Sequence, residues 1–163
     1  MNGRRNTRSD GFTVAELITV IAIVAILASV AMPLVNFGIR RQKEIELHER
    51  LRRITEAIDR FHELALQTGG SAAAMKEPVS QMQGPWPKDL DALTKPIPLN
   101  SGQQIRLLRE RDLIDPMTGR AEWNTLSADD EADTQSSNGN NVYEIHSKST
   151  ALALDGKTHY NEW

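Results

Sequence analysis

Glu16 is the residue whose type and placement most call for a chemical explanation. It stands near the start of an apolar run, residues 12–35, that reads FTVAELITVIAIVAILASVAMPLV and is otherwise interrupted only by Thr13, Thr19 and Ser29. A charge near hydrocarbon costs roughly 2.5 kcal/mol or more on insertion scales, and such residues mark function. The chemistry open to it is ion pairing. A buried carboxylate without a partner is costly, so it selects geometries that bring a cation to it. Just before the run stand Gly11, whose missing side chain lets the backbone thread a tight protease site, and Phe12.

Other candidate chemistries fail on spacing. The chain has no cysteine, which excludes a disulfide scaffold, a thiolate zinc site, an iron–sulfur cluster and a cysteine nucleophile. Asp129, Asp130, Glu131 and Asp133 resemble the start of a calcium loop, but the glycine and glutamate an EF-hand needs are replaced by Thr134 and Asn140. His62-Glu63 and His48-Glu49 begin a zincin helix motif, yet the second histidine falls on Leu66 and Arg52. Gly156-Lys157-Thr158 imitates the end of a phosphate loop whose first glycine falls on Ala151. His146 and His159 have no nearby nucleophile and read as structural or exposed; Trp86, Trp123 and Trp163 read as packing residues. No catalytic constellation is present, and the expectation is a protein that is not an enzyme.

The element that positions Glu16 is the apolar run. About 20 apolar residues cross a bilayer core, so it is long enough. Arg4, Arg5 and Arg8 precede it and favour a cytoplasmic N-terminus. Glu122, Asp129, Asp130, Glu131, Asp133, Glu144, Asp155 and Glu162 make the far end acidic against Lys148 and Lys157. The net charge of −3 over 163 residues gives no sign of nucleic-acid binding. Three readings of the run compete. A secretory signal peptide would use Ser29 and Ala31 as its cleavage site, but the run is long for one. A plain membrane anchor explains the length and the arginines and leaves Glu16 unexplained. The third reading uses Gly11, Phe12 and Glu16 together.

The run Gly11-Phe12-Thr13-Val14-Ala15-Glu16-Leu17-Ile18 resembles the class III signal of type IV pilins and pseudopilins. The resemblance implies that a membrane-embedded prepilin peptidase cuts after Gly11 on the cytoplasmic side and N-methylates Phe12. It implies that Glu16 docks each subunit into a growing filament, and that Pro33 is the family's helix-kinking proline. The physical logic agrees. Unlike a cut behind the apolar run, a cut after Gly11 leaves the anchor on the mature protein. The new α-amino group is then a cation, and Glu16, about one helical turn away, can pair with such a cation on a neighbouring subunit.

Beyond the run, apolar residues recur at Leu47, Leu51, Ile54, Ile58, Phe61 and Ala65, in alternating steps of four and three that predict a one-faced amphipathic helix. One helix over residues 12–68, stopped by Gly69-Gly70, would be roughly 85 Å long, with Pro33 and Gly38 as places where it bends or melts. The expected organisation is a cytoplasmic leader (1–11), the transmembrane half of the helix (12–35), its amphipathic half (36–68) and a periplasmic α+β domain (69–163). Within that domain, residues 71–83 are expected as a loop, 88–93 as a short helix and 105–108 as a short strand or helical turn. Residues 113–119 are expected as a strand entering a tight turn, and 121–125 as a strand. A loop at 127–141, a strand at 141–147 and a last strand at 151–154 before an Asp155-Gly156 turn complete it.

This order, one long helix on a small antiparallel sheet, resembles the pseudopilin fold. Residues 113–119 and the ending from Asp155 to Trp163 are similar to the major pseudopilin of type II secretion systems. That resemblance implies a calcium site in the last loop, with Asp155 as its candidate ligand, although only Glu162 is a nearby acid in sequence; no other cofactor is expected. It implies partners too: prepilin peptidase, other copies of the chain, minor pseudopilins and an inner-membrane assembly platform. The expected location is the bacterial inner membrane, single-pass, with the C-terminal domain periplasmic, and then a periplasmic pseudopilus that works in protein secretion. The alternative is a major or minor type IV pilus subunit for adhesion, motility or DNA uptake. The lack of cysteine weighs modestly against that alternative, since many such pilins carry a C-terminal disulfide.

Overall fold

The computed structural model describes residues 11–67, 74–76, 84–131, 134 and 137–163. The leader before Gly11, the Gly69-Gly70 helix stop and most of the expected loop at 71–83 lie outside the described residues. The chain divides into two compact units, Met1–Arg40 and Arg41–Trp163.

The described part of the first unit is the first half of helix α1, Val14–Leu66. Thr13 starts it: the Glu16 N–H donates to Thr13 Oγ1 at 3.2 Å and the Leu17 N–H to the Thr13 carbonyl at 3.1 Å, the arrangement of an N-cap. The two hydroxyls inside the apolar run are satisfied within the helix. Thr19 donates to the Ala15 carbonyl at 2.8 Å and Ser29 to the Ile26 carbonyl at 2.7 Å. Neither therefore brings an unpaired donor to an apolar surrounding. The large apolar side chains from Val14 to Val30 and from Leu34 to Ile39 are all exposed.

The second unit is built on the rest of α1. Leu47, Ile54, Ile58, Phe61 and Ala65 are buried and Leu51 is half-buried, as the spacing predicts; Ala57 and Leu64 join them. Burying a side chain of the Leu, Ile or Phe kind is worth about 1.5–3 kcal/mol, so this stripe fixes which face of α1 meets the rest. Against it lie Leu93 of the one-turn helix α2 (Asp91–Thr94), Ile97 of strand β1 (Ile97–Pro98), Leu108 and Leu113, Trp123 of β3 (Trp123–Leu126), Ile145 of β4 (Glu144–Ser147), Ala153 and Tyr160. Strand β1 pairs antiparallel with β2 (Gln104–Ile105), and β3 pairs antiparallel with β4, Trp123 opposite Ser147 and Leu126 opposite Glu144. The class is α+β: one long helix and two small antiparallel sheets.

Several local expectations change. The short helix forms at Asp91–Thr94 rather than 88–93. Residues 113–119 hold no strand: a 3-10 helix, Glu110–Leu113, leads into a turn in which the Gly119 N–H donates to the Asp115 carbonyl at 2.8 Å. Gly119 takes φ +72°, a conformation that favours glycine. Of the 105–108 region only Ile105 pairs as strand, together with Gln104 before it. The last expected strand reduces to a single bridge, Leu152 to His159, around the Asp155-Gly156 turn. The β1–β2 hairpin was not foreseen, although Asn100-Ser101-Gly102 between apolar residues is turn chemistry.

Candidate processing and assembly site

Gly11 and Phe12 precede the first helical residue, Val14, so the peptide bond between them lies in backbone free of helical hydrogen bonding. Both residues are exposed, Phe12 at 85%. A Cβ built at Gly11 meets nothing within 4 Å. Packing among the described residues therefore does not demand glycine there. Glu16 stands in the first turn of α1, exposed, with its own N–H held by Thr13. An acid in that turn is favoured by the positive end of the helix dipole. Thr13 and Glu16 also carry the Thr-x-x-Glu spacing of a capping box. The structure thus places an exposed Gly-Phe bond just ahead of a helix whose first turn presents a carboxylate. The backbone stays helical through Pro33 and Gly38. A proline there has no N–H to give, so it removes one intrahelical hydrogen bond without ending the helix. Helix α1 is the one described helix long and apolar enough to cross a membrane, and none of its most apolar window is buried.

The residues around Asp155 do not fit a calcium ion. Asp155 Oδ1 accepts the N–H groups of Lys157 (2.8 Å) and Thr158 (3.1 Å), and Oδ2 accepts the Thr158 hydroxyl at 2.7 Å. These bonds, led by that from Lys157, hold its carboxyl below the usual value. Glu162 is spent on the His159 N–H, at 3.1 Å. Among the described residues, no three His, Asp or Glu side chains are placed to hold a metal together. Calcium takes six to eight oxygens; this loop closes instead on its own donors. Asp130 behaves similarly, accepting the Ser127 N–H at 2.8 Å and the Asn138 N–H at 3.2 Å.

The tertiary contacts of three carboxylates escaped the sequence reading. Glu44 Oε1 accepts the Leu154 N–H at 2.7 Å and the Tyr160 hydroxyl at 2.8 Å, tying the C-terminal segment to α1. Its signal was present: the stripe Leu47, Leu51, Ile54, Ile58 stepped back by three lands on Glu44. Asp115 is fully buried and accepts the Met117 N–H and the Ser147 hydroxyl, both at 2.7 Å. Asp112 is buried against Arg50, with 2.6 Å between Oδ1 and the guanidinium.

The four histidines hold structure rather than a site. His48 stacks on Trp163 with ring centres 4.3 Å apart, and His62 on Trp86 at 3.7 Å. His146 Nδ1 meets the Trp163 carbonyl oxygen at 2.8 Å and His159 Nδ1 that of Thr150 at 2.7 Å. Trp123 donates its indole N–H to the Leu113 carbonyl at 2.6 Å. Comparison with protein-family models, curated proteins and solved structures gave no match.

Proposed function

We propose that this chain is a structural subunit of a periplasmic pseudopilus, a pilin-like protein of a type II secretion system that acts by polymerising rather than by catalysis. The observation that carries the reading is the sequence Gly11-Phe12 followed by Glu16 in the first turn of a helix whose large apolar side chains from Val14 to Val30 and from Leu34 to Ile39 are exposed. In this reading prepilin peptidase, on the cytoplasmic face, cuts the unpaired bond between Gly11 and Phe12. The freed amine of Phe12, then N-methylated, stays at the head of the anchor. The exposed apolar helix dissolves first in the bilayer and later against the same helix of other copies. On that transfer Glu16 moves from a headgroup setting into a dry bundle, where an unpaired carboxylate is costly. The cost is relieved when a neighbour's N-terminal amine lies beside it, so subunits join in one axial register. The second unit, with its small sheets on the amphipathic half of α1, is the periplasmic body the filament displays.

Intact-mass measurement on protein extracted from membranes tests the first step. The expected species begins at Phe12 and carries one added methyl group. A species beginning at Met32, after Ala31, would make the apolar run an ordinary signal peptide and remove the filament reading.

A further inference from the structure

Beyond Arg40, the cations of α1 fall into two groups. Farther along the helix each arginine has a carboxylate: Arg50 with Asp112 and Glu46, Arg52 with Glu56, Arg53 with Glu49 and Asp112, Arg60 with Glu63. Arg41 and Lys43 are exposed, and neither forms an ion pair among the described residues. They stand two and four positions beyond Ile39, which ends the exposed apolar stretch that begins at Val14. Twenty-six residues of helix from Val14 to Ile39 rise about 39 Å. A bilayer is about 30 Å thick in its hydrocarbon and about 40–45 Å with its headgroups. With Val14 at one face, Ile39 reaches the headgroup level of the other, and the chain continues from there into Arg41 and Lys43, whose long cationic side chains can reach phosphate oxygens.

Orientation does not explain them. Arg4, Arg5 and Arg8 precede the span, whereas Arg40, Arg41 and Lys43 follow it at once. Lysine and arginine counted near the ends of a span favour the cytoplasmic side, so a basic cluster beyond the span opposes the very topology the leader arginines promote. Arg41 and Lys43, placed against that rule and without an ion pair among the described residues, must gain from something at that level.

We propose that Arg41 and Lys43 form a lipid-binding collar that engages anionic phospholipid headgroups in the leaflet on the far side of the span and fixes the depth of the helix before the subunit leaves the membrane. This rests on the reading of residues 12–35 as a transmembrane segment. The collar gives the membrane-held subunit a definite height, and hence Glu16 a definite height at the opposite face. It also makes departure from the membrane dependent on lipid charge. A basic residue near an anionic surface shifts partition by about fivefold.

The absence of native cysteine makes single-cysteine labelling clean. Full-length protein carrying Gln42→Cys is placed in lipid nanodiscs of zwitterionic lipid alone or with about a third phosphatidylglycerol, and its reaction with a membrane-impermeant maleimide is timed at low and high salt. The expected result is labelling several-fold slower in the anionic discs at low salt. The difference should vanish in the Arg41→Gln, Lys43→Gln double variant, in which neither change touches the buried stripe. Equal rates in both lipids, or slowing that survives in the double variant, would overturn the collar. Slowing that follows the number of protein copies per disc rather than lipid charge would overturn it in favour of contact with a second copy. A parallel Val24→Cys protein separates the two readings: protection at Val24 with lipid-blind labelling at Gln42 removes the collar alone, whereas rapid labelling at Val24 removes the span and the collar with it.

Discussion

Glu44 and Tyr160, 116 positions apart in sequence, are joined by a 2.8 Å hydrogen bond in which the phenol donates to Oε1 of the carboxylate. The same oxygen takes the Leu154 N–H at 2.7 Å. One helix residue thus holds both sides of the Asp155-Gly156 turn.

Replacing Glu44 by Ala removes the acceptor that the Leu154 N–H and the Tyr160 hydroxyl share. A buried group stripped of its partner costs about 1–3 kcal/mol, whereas removal of both partners costs much less. Glu44→Ala should therefore lower stability by an amount in that range, and Tyr160→Phe by less. Adding Tyr160→Phe to Glu44→Ala should restore part of the loss. Hydrogen exchange at the Leu154 amide in the detergent-solubilised chain reads this directly: exchange should accelerate in Glu44→Ala and only slightly in Tyr160→Phe. Unchanged protection would mean that the carboxylate does not hold the segment.

The turn beside it should respond to acid. The Asp155 carboxyl is held below its ordinary 3.8, first by the Lys157 N–H and then by the Thr158 hydroxyl and N–H. A carboxyl depressed in the folded state contributes stability that is present above its unfolded value and is lost as pH falls through the folded value. Protection of the Lys157 and Thr158 amides should thus be flat above about pH 5 and decline through the range below 3.8. Asp155→Asn keeps an acceptor for the two N–H groups but has no ionisation, so its protection should lose the acid-dependent part. A wild-type and Asp155→Asn pair with the same acid profile would remove the role given to this carboxylate.

The legible parts of this fold are those written in a period or in turn chemistry. The stripe from Leu47 to Ala65 carries the helical repeat over five turns and names its own buried face. The turns at Gly119 and Gly156 are announced by Asp-Pro and Asp-Gly. The 3-10 helix at Glu110–Leu113 has no such mark. Its position is set by Asp112 reaching Arg50, 62 positions away, a tertiary fact that no local pattern encodes. The β1–β2 hairpin was hidden because its strands are two residues long and one of those residues is Pro98, which argues against a strand. At the candidate site, Gly11 and Glu16 stand out in the sequence because neither is what a plain anchor requires, and the roles proposed for them and for Phe12 rest on that pattern. Thr13 was not singled out, since one hydroxyl at the head of an apolar run does not by itself announce a cap.

Calcium should do little here. A ligand confined to the folded state stabilises by RT ln(1 + [L]/Kd), about 2.7 kcal/mol at a hundredfold excess over Kd, which a thermal melt detects easily. Because Asp155, Glu162 and Asp130 are occupied by their own loops, the melting temperature of the full chain should be the same in millimolar calcium as in chelator. A large calcium-dependent rise abolished by Asp155→Ala would show that the loop rearranges around the ion.

The assembly role proposed for Glu16 has a test that insertion cannot confound. Glu16→Leu removes a charge from the edge of the membrane segment, so insertion should become easier. The N-cap survives, because it runs from the Glu16 main-chain N–H to Thr13 Oγ1 and does not use the carboxylate. Cleavage between Gly11 and Phe12 should also proceed, since both residues lie outside the helix and are untouched. What the variant lacks is the anion that a neighbour's N-terminal amine would meet in a dry helical bundle. The expected phenotype is a fully inserted, fully processed protein that accumulates in the membrane while filament yield and secretion fall steeply. Glu16→Asp, with a shorter reach but the same charge, should recover part of the yield. If Glu16→Leu forms filaments and supports secretion as the wild type does, register in the filament is set elsewhere on α1 and the pairing assigned to Glu16 is wrong.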